Sequence, residues 1–103
     1  MAYSTFRRLD WDPAKNAANV LTHGLSFEEA SVLFSSGADY LEIYDADHSL
    51  TEDRFIAVGL ARGKLIIVVF TEPEEDVIRI ISARRATRRE QLLYSRHMDQ
   101  TDD

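Results

Sequence analysis

The stretch "RFIAVGLARGKLIIVVFTEPEEDVIRIISAR" (Arg54–Arg84) decides the fold, because it holds three successive runs rich in β-branched and aromatic residues. The predicted strands are Arg54–Leu60, Lys64–Glu72 and Val77–Arg84. "ARG" and "PEED" join them at hairpin length, and Gly63 can adopt the positive φ that a tight turn needs. The stretch therefore predicts an antiparallel meander. Its run "LIIVVF" is apolar on both faces, which places the second strand in the middle of the sheet.

Two helices are predicted upstream of the meander. Asp12 is a good N-cap, Pro13 suits the first helical position and Gly24 suits a left-handed end, so the first helix runs from Pro13 to His23. Its apolar residues recur at helical spacing and predict the buried face: Ala14, Ala17, Ala18 and Leu21. Ser26 and Glu29 form a capping box before a second helix, Phe27–Ser35.

The remaining elements complete an α+β domain. The predicted short strands are Phe6–Trp11 and Asp39–Asp45, with a polar loop at Ala46–Asp53. Thr87 and Glu90 form a second capping box, which starts a third helix at Arg88–His97. Residues 98–103 are expected to fray. The order predicts one domain, residues 1–103, in which an antiparallel sheet carries an N-terminal helix pair and a C-terminal helix.

Composition narrows the function classes. The 103 residues carry a formal charge of −6 and no cysteine, so thiolate metal sites are excluded and a reducing, cytoplasmic setting is expected. No apolar run approaches the roughly 20 residues of a membrane span, and no signal peptide is expected. Six arginines and one glutamate lie between Arg79 and Arg96, about +5, which leaves about −11 elsewhere. Anion binding is therefore expected at one region of the chain.

The arginines of this region are the first candidate site. Regular alternation puts Arg79 and Arg84 on opposite faces of one strand. Arg79 lies among aliphatic residues, so it either lines an open groove or pairs with a carboxylate such as Glu72, Glu42 or Asp45. Arg84 and three further arginines meet a helix N-terminus, where phosphate is favoured. These three are Arg85, Arg88 and Arg89. A solvated cationic surface, or an acidic protein partner, explains them equally.

Three other groups were weighed as sites. Lys15, Asn19, Thr22 and His23 form a polar stripe on the first helix, and His23 could transfer a proton or merely cap its own helix. Tyr94 could stack on a base or belong to the core rim. "YDADHS" contains potential metal ligands but lacks the glycine and distal glutamate of an EF-hand loop, so no metal site is predicted.

Motifs in three segments together resemble a known family. "WDPAKNAANVLTHGLSFEEASVLF", "RFIAVGLARGKLIIVVFTE" and "IRIISARRATRREQLLY" look like BrnT-type toxins of toxin–antitoxin modules, over Trp11 to about Tyr94. The resemblance implies a fold similar to RelE ribonuclease toxins and an endoribonuclease that arrests translation. It also implies a BrnA-type ribbon-helix-helix antitoxin, usually in a heterotetramer that represses its own operon, with no direct DNA reading by the toxin.

Residue by residue, the resemblance covers two motifs. The first is matched by Trp11, Asp12, Lys15, Asn19, His23 and Gly24, and the last by Ser82, Arg84, Ala86 and Glu90; Arg54 and Arg79 match positions that are often basic. The resulting hypothesis is cleavage of RNA without metal or cofactor, with Arg79, Arg84 and Lys15 at the phosphate and His23 as proton carrier. Tyr94 and Glu72 are secondary proton carriers, while Arg54, Arg85, Arg88, Arg89 and Asn19 would bind RNA or partner. A binding module without catalysis, or an internal network of arginines and carboxylates, remains open.

Overall fold

The structure, a computed structural model, describes residues 8–35, 37 and 39–101. Five strands form its sheet: β1 (Arg8–Asp10), β2 (Leu41–Tyr44), β3 (Arg54–Ala61), β4 (Lys64–Thr71) and β5 (Val77–Arg85). Three α-helices accompany them: α1 (Pro13–His23), α2 (Phe27–Ser35) and α3 (Arg88–Thr101). A short 3-10 turn at Ala46–His48 interrupts the predicted polar loop. The part of the first predicted strand before Arg8 lies outside the described residues.

The sheet has the order β1-β5-β4-β3-β2. Strands β2 to β5 are antiparallel in sequence order, which confirms the meander, and β4 is the central strand as its apolar run predicts. Strand β1 pairs with β5 in parallel, a pairing that the sequence analysis did not assign. The α+β prediction is confirmed.

Local signals set the helix boundaries as expected. Asp12 caps α1 by accepting a hydrogen bond from the Ala14 amide at 2.9 Å, and Gly24 ends it at φ 68°. Both capping boxes are present, since Ser26 with Glu29 and Thr87 with Glu90 exchange backbone and side-chain hydrogen bonds. The β3–β4 turn has positive φ at Arg62 and Gly63, as a type I′ hairpin requires.

The main core lies between one face of the sheet and α2. Phe27, Ala30 and Leu33 of α2 are fully buried against the even-numbered aliphatic and aromatic positions of β4. Those positions are Ile66, Val68 and Phe70. This arrangement leaves the opposite face of the sheet without α1 or α2 on it.

The predicted buried face of α1 was wrong. Ala14, Ala17 and Ala18 are exposed, and Leu21 is 88% exposed. The helix instead packs through asparagines. The Asn16 amide donates to Glu28 Oε1 at 2.7 Å and its oxygen accepts from the Phe27 N–H at 2.8 Å, so specific hydrogen bonds outweigh apolar periodicity.

The C-terminal helix is longer than expected. Helix α3 continues from the predicted end at His97 to Thr101, so part of the tail expected to fray is helical. Leu92 and Leu93 on this helix remain more than half exposed, while Tyr94 is half-buried against Val58, Ile67 and Ala86. Among the described residues, no helix is long and apolar enough to cross a membrane.

Candidate active site

A β-bulge in β5 decides which arginines share a surface. Ser82 pairs with Val69 and Ile80 pairs with Phe70, so Ile81 is the extra residue between them. Alternation resumes one residue out of phase after the bulge. Arg79, Ser82 and Arg84 consequently lie on the same face of the sheet, opposite α2. The expectation that the two arginines lie on opposite faces was wrong, because it assumed a regular strand.

Arg79 pairs with a carboxylate that the sequence analysis did not consider. Its Nε and Nη2 atoms lie 3.0 and 2.9 Å from Asp10 Oδ2, across the parallel β1–β5 pairing that aligns these two residues. The Arg79 side chain is 51% exposed, so solvent or a ligand can reach the guanidinium. The partners considered earlier, Glu42, Asp45 and Glu72, were the wrong ones, because the parallel neighbour was not foreseen.

Arg84 makes a two-pronged pair with Glu90. Its Nη1 and Nη2 atoms donate to the two Glu90 carboxylate oxygens, each at 2.8 Å. The Arg84 hydrogen bonds, with help from Thr87, hold the pKa of Glu90 at about 2, and the same pairing raises the pKa of Arg84. Glu90 therefore stays ionised at neutral pH and is a poor proton acceptor. The pair fastens the start of α3 to the end of β5.

Arg54 extends the cationic surface across the sheet. It pairs with Thr71 on β4, and Thr71 pairs with Arg79 on β5, so these three residues form one row on the open face. Within the described residues, the Arg54 side chain forms no ion pair. Among the same residues, the buried Thr71 hydroxyl has no hydrogen-bond partner. Two arginines thus flank a buried threonine on the open face.

The predicted polar stripe of α1 divides into two parts. Lys15, Thr22 and His23 are exposed and line a shallow depression with Ile81, the bulged residue of β5. Asn19 is buried. Its amide nitrogen donates to the carbonyls of Leu25 and Ala83 at 2.7 and 2.8 Å, and its oxygen accepts from the Ala83 N–H at 3.1 Å.

Asn19 therefore acts as a substitute for a neighbouring strand. Its amide occupies both backbone hydrogen-bonding groups of Ala83, on the part of β5 beyond the short β1. No polar atom of the side chain is left over for RNA, so its predicted binding role does not fit its place in the fold. The signal that sequence reasoning missed is the pair of asparagines three residues apart, Asn16 and Asn19, both of which hydrogen-bond to other elements.

The remaining arginines do not all face this surface. Arg85 pairs with Ile66 and lies on the α2 side of the sheet at its end, while Arg88 and Arg89 are exposed on the first turn of α3. Tyr94 lines two depressions on either side of α3. Glu72 is exposed on the segment after β4. Among the described residues, no three histidine, cysteine or acidic side chains are grouped so as to hold a metal ion.

An apolar groove borders the Arg84 side of this face. It has a volume of about 290 Å³ and lies between β2, β3 and α3, with Ile43, Ile56 and Leu93 among its walls. Arg84 and Glu90 stand at its edge. The open face thus combines cations along β5, a proton-transferring candidate at its edge and an apolar trough beside them.

Comparisons with known proteins indicate the family of the chain. Residues 11–90 match a family described as "Ribonuclease toxin, BrnT, of type II toxin-antitoxin system". The chain is also similar to the crystal structure of the Brucella abortus ribonuclease toxin BrnT, with 28% identity and a TM-score of 0.61. That match covers 80% of this chain and 99% of the Brucella chain. A search of curated proteins found no match. On the family match, which spans most of its length, the chain belongs to the BrnT family of ribonuclease toxins of type II toxin–antitoxin systems.

Proposed function

We propose that this chain is an endoribonuclease that cleaves RNA on the open face of its sheet, beside β5. The observation that carries the proposal is the bulge at Ile81, which puts Arg79 and Arg84 on one accessible face. The Cα atoms of the two arginines are about 13 to 16 Å apart along the strand. We therefore assign them to different phosphates of one RNA strand, with Arg54 beside Arg79 in the same cross-strand row.

The reaction uses the 2′-hydroxyl of RNA as nucleophile. Its oxygen bonds to phosphorus, the bond from phosphorus to the 5′-oxygen breaks, and the products end in a 2′,3′-cyclic phosphate and a 5′-hydroxyl. His23 accepts the 2′-hydroxyl proton, and the resulting imidazolium gives the proton to the departing 5′-oxygen directly or through water, so one residue serves both steps. Lys15, which lines the same depression, and Arg79 stabilise the charge that develops on the phosphate oxygens.

The carboxylates on this face hold the arginines ready for substrate. Asp10 and Glu90 bind the two guanidiniums in the resting chain, yet both arginines keep two-fifths or more of their side-chain surface exposed. At Arg79, a phosphate can displace the Asp10 carboxylate from the guanidinium. At Arg84 it approaches the exposed side of the guanidinium, because Glu90 also serves the α3 capping box. An internal network that is fully buried would leave no such access.

Growth arrest after induction tests this assignment. Arg79→Ala and Arg84→Ala should each restore growth, since losing one charge aimed at the transition state costs about a hundredfold in rate. Arg96→Ala removes an exposed arginine from α3 that has no assigned role, and it serves as the matched control. Circular dichroism of purified variants checks that each one folds. Full toxicity in both Arg79 and Arg84 variants would overturn the assignment, and RNA binding without cleavage by the parent would favour a binding module.

We further propose the partner and the cellular outcome. The antitoxin is a BrnA-like ribbon-helix-helix protein that forms a heterotetramer with this toxin, and the toxin inhibits translation in the cytoplasm. Membership of a type II toxin–antitoxin family supports an antitoxin partner. Co-expression with the product of the adjacent reading frame, followed by light scattering, tests both the partner and the stoichiometry.

A further inference from the structure

Three surface depressions share lining residues, and together they are called the band. The first is the apolar groove beside Arg84, and the second, of about 510 Å³, lies on the other side of Tyr94. The third, of about 240 Å³, lies at the β3–β4 hairpin. Tyr94 lines both the first and the second depression, while Lys64 and Arg85 line both the second and the third. The band therefore leads from the groove beside Arg84, past Tyr94, to the hairpin end of the sheet.

The charges along this band are mostly positive. Lys64 and Arg85 lie in its middle and Arg62 at its far end. Two carboxylates also line the band. Glu90 holds Arg84, and the pKa of Glu29 is lowered by its hydrogen bond from the Ser26 backbone N–H and also by the nearby charges of Arg62 and Lys64. The four cations of the band, Arg62, Lys64, Arg84 and Arg85, thus outnumber its two carboxylates in a chain whose net charge is −6.

The walls of the band include aromatic and aliphatic side chains as well as cations. The half-buried Tyr94 ring stands between two depressions, and Leu60 and Leu65 lie beside it in the second. An aromatic ring flanked by cations is the arrangement on which single-stranded nucleic acids bind, with bases stacked and phosphates paired. An acidic peptide would pair with the cations, but it would lack bases that stack on the Tyr94 ring.

We propose that this band is an extended binding track for single-stranded RNA, on which the strand continues past the cleavage site. Tyr94 stacks on a base next to Arg84, and Lys64, Arg85 and Arg62 take the following phosphates. This inference rests on the proposed ribonuclease function and adds to it a second group of contacts, remote from Arg79 and His23. These contacts make the affinity for RNA depend on its length, and they take no part in the cleavage reaction.

The test measures binding separately from cleavage. A labelled 2′-O-methyl oligouridine of about twelve nucleotides cannot be cleaved, and its anisotropy is titrated at several salt concentrations. The Lys64→Gln/Arg85→Gln double variant should lower the salt dependence of log K by about 1.4, because each single-strand phosphate contact contributes about 0.7. Arg8→Gln/Arg96→Gln makes the same charge change at exposed positions of β1 and α3 outside the band, and its slope should equal that of the parent.

Two further readouts make the result decisive. Tyr94→Leu should weaken binding of the oligonucleotide about tenfold, and Tyr94→Phe should leave it unchanged. The Lys64→Gln/Arg85→Gln variant should lose more cleavage of a twelve-nucleotide RNA than of a dinucleotide, because the dinucleotide is too short to occupy the band. The track is overturned if the parent does not bind the oligonucleotide, if both double variants change the slope equally, or if Tyr94→Leu has no effect. Normal binding without cleavage of any RNA would instead remove the proposed catalytic function and leave the track intact.

Discussion

Replacing Asn19 by alanine should destabilise the fold and not simply weaken the binding of a ligand. The substitution leaves three buried backbone groups without a partner: the N–H and carbonyl of Ala83 and the carbonyl of Leu25. At about 1 to 1.5 kcal/mol for each lost partner, the free energy of unfolding should fall by about 3 to 5 kcal/mol. A domain of this size is typically stable by only about 5 to 15 kcal/mol, so the loss is large.

Equilibrium unfolding in urea measures this effect. With an m-value of about 1 to 2 kcal/mol/M, the unfolding midpoint of Asn19→Ala should fall by about 2 M or more. Thr22→Ala removes a polar side chain from the exposed part of the same helix and should change stability by no more than about 0.5 kcal/mol. Asn19→Asp keeps an acceptor for the Ala83 N–H but cannot donate to either carbonyl, so it should lose at least about 2 kcal/mol.

One result would refute the reasoning about Asn19. If Asn19→Ala keeps the stability of the parent and loses only RNA affinity, the side chain is a ligand contact and the buried hydrogen bonds are unimportant. If the alanine variant does not fold at all, Asn19→Ser provides a milder test. Its shorter side chain reaches fewer of the three groups, so its stability should lie between those of the alanine variant and the parent.

Three further predictions concern stability. Glu90→Gln removes the ion pair with Arg84 and should lower the free energy of unfolding, as measured in urea titrations. Because the pKa of Glu90 is depressed from 4.5 to about 2, the parent's advantage in the free energy of unfolding should be complete above about pH 4.5 and vanish towards pH 2. That advantage should be on the order of 2 kcal/mol after allowance for solvent screening, and a constant difference at all pH values would contradict it. Gly59→Ala places a Cβ 2.6 Å from Leu33 Cδ1 and should cost about 1 to 3 kcal/mol in the same assay, whereas an unchanged midpoint would mean that α2 moves freely. Thr71→Val removes a buried hydroxyl without a partner in the described residues and should raise thermal stability by about 1 kcal/mol, so a lower melting temperature would indicate a hidden partner.

The elements of this fold were predictable because their signals are local. Asp12, Pro13 and Gly24 mark the ends of α1 through backbone geometry within one turn, and the apolar run of β4 identifies the central strand of the sheet. The packing of α1 was not predictable from periodicity. Small alanines cost little to expose, whereas two of the three hydrogen bonds of the Asn19 side chain go to Ala83, 64 residues away.

The candidate site was predictable in its residue types but not in its geometry. Arg79 and Arg84 stand out by charge, yet their partners depend on contacts that no local pattern reports. Asp10 reaches Arg79 only because β1 joins the sheet in parallel, 69 residues earlier in the chain. Glu90 could have been anticipated, since a capping glutamate six residues after Arg84 stands at the junction of strand and helix.

The bulge at Ile81 has a consequence for how this chain is compared with others. Deleting Ile81 would leave Ile80, Ser82 and Ala83 in regular alternation, paired as before with Phe70, Val69 and Val68. The position therefore tolerates gain or loss of one residue without exchanging inward and outward side chains. A relative with three residues between the two arginines, one fewer than the four here, presents the same two cations through a straight strand. Alignments of such chains should open their gap between the arginines, at position 81, because a gap outside this interval would match an outward arginine to an inward residue.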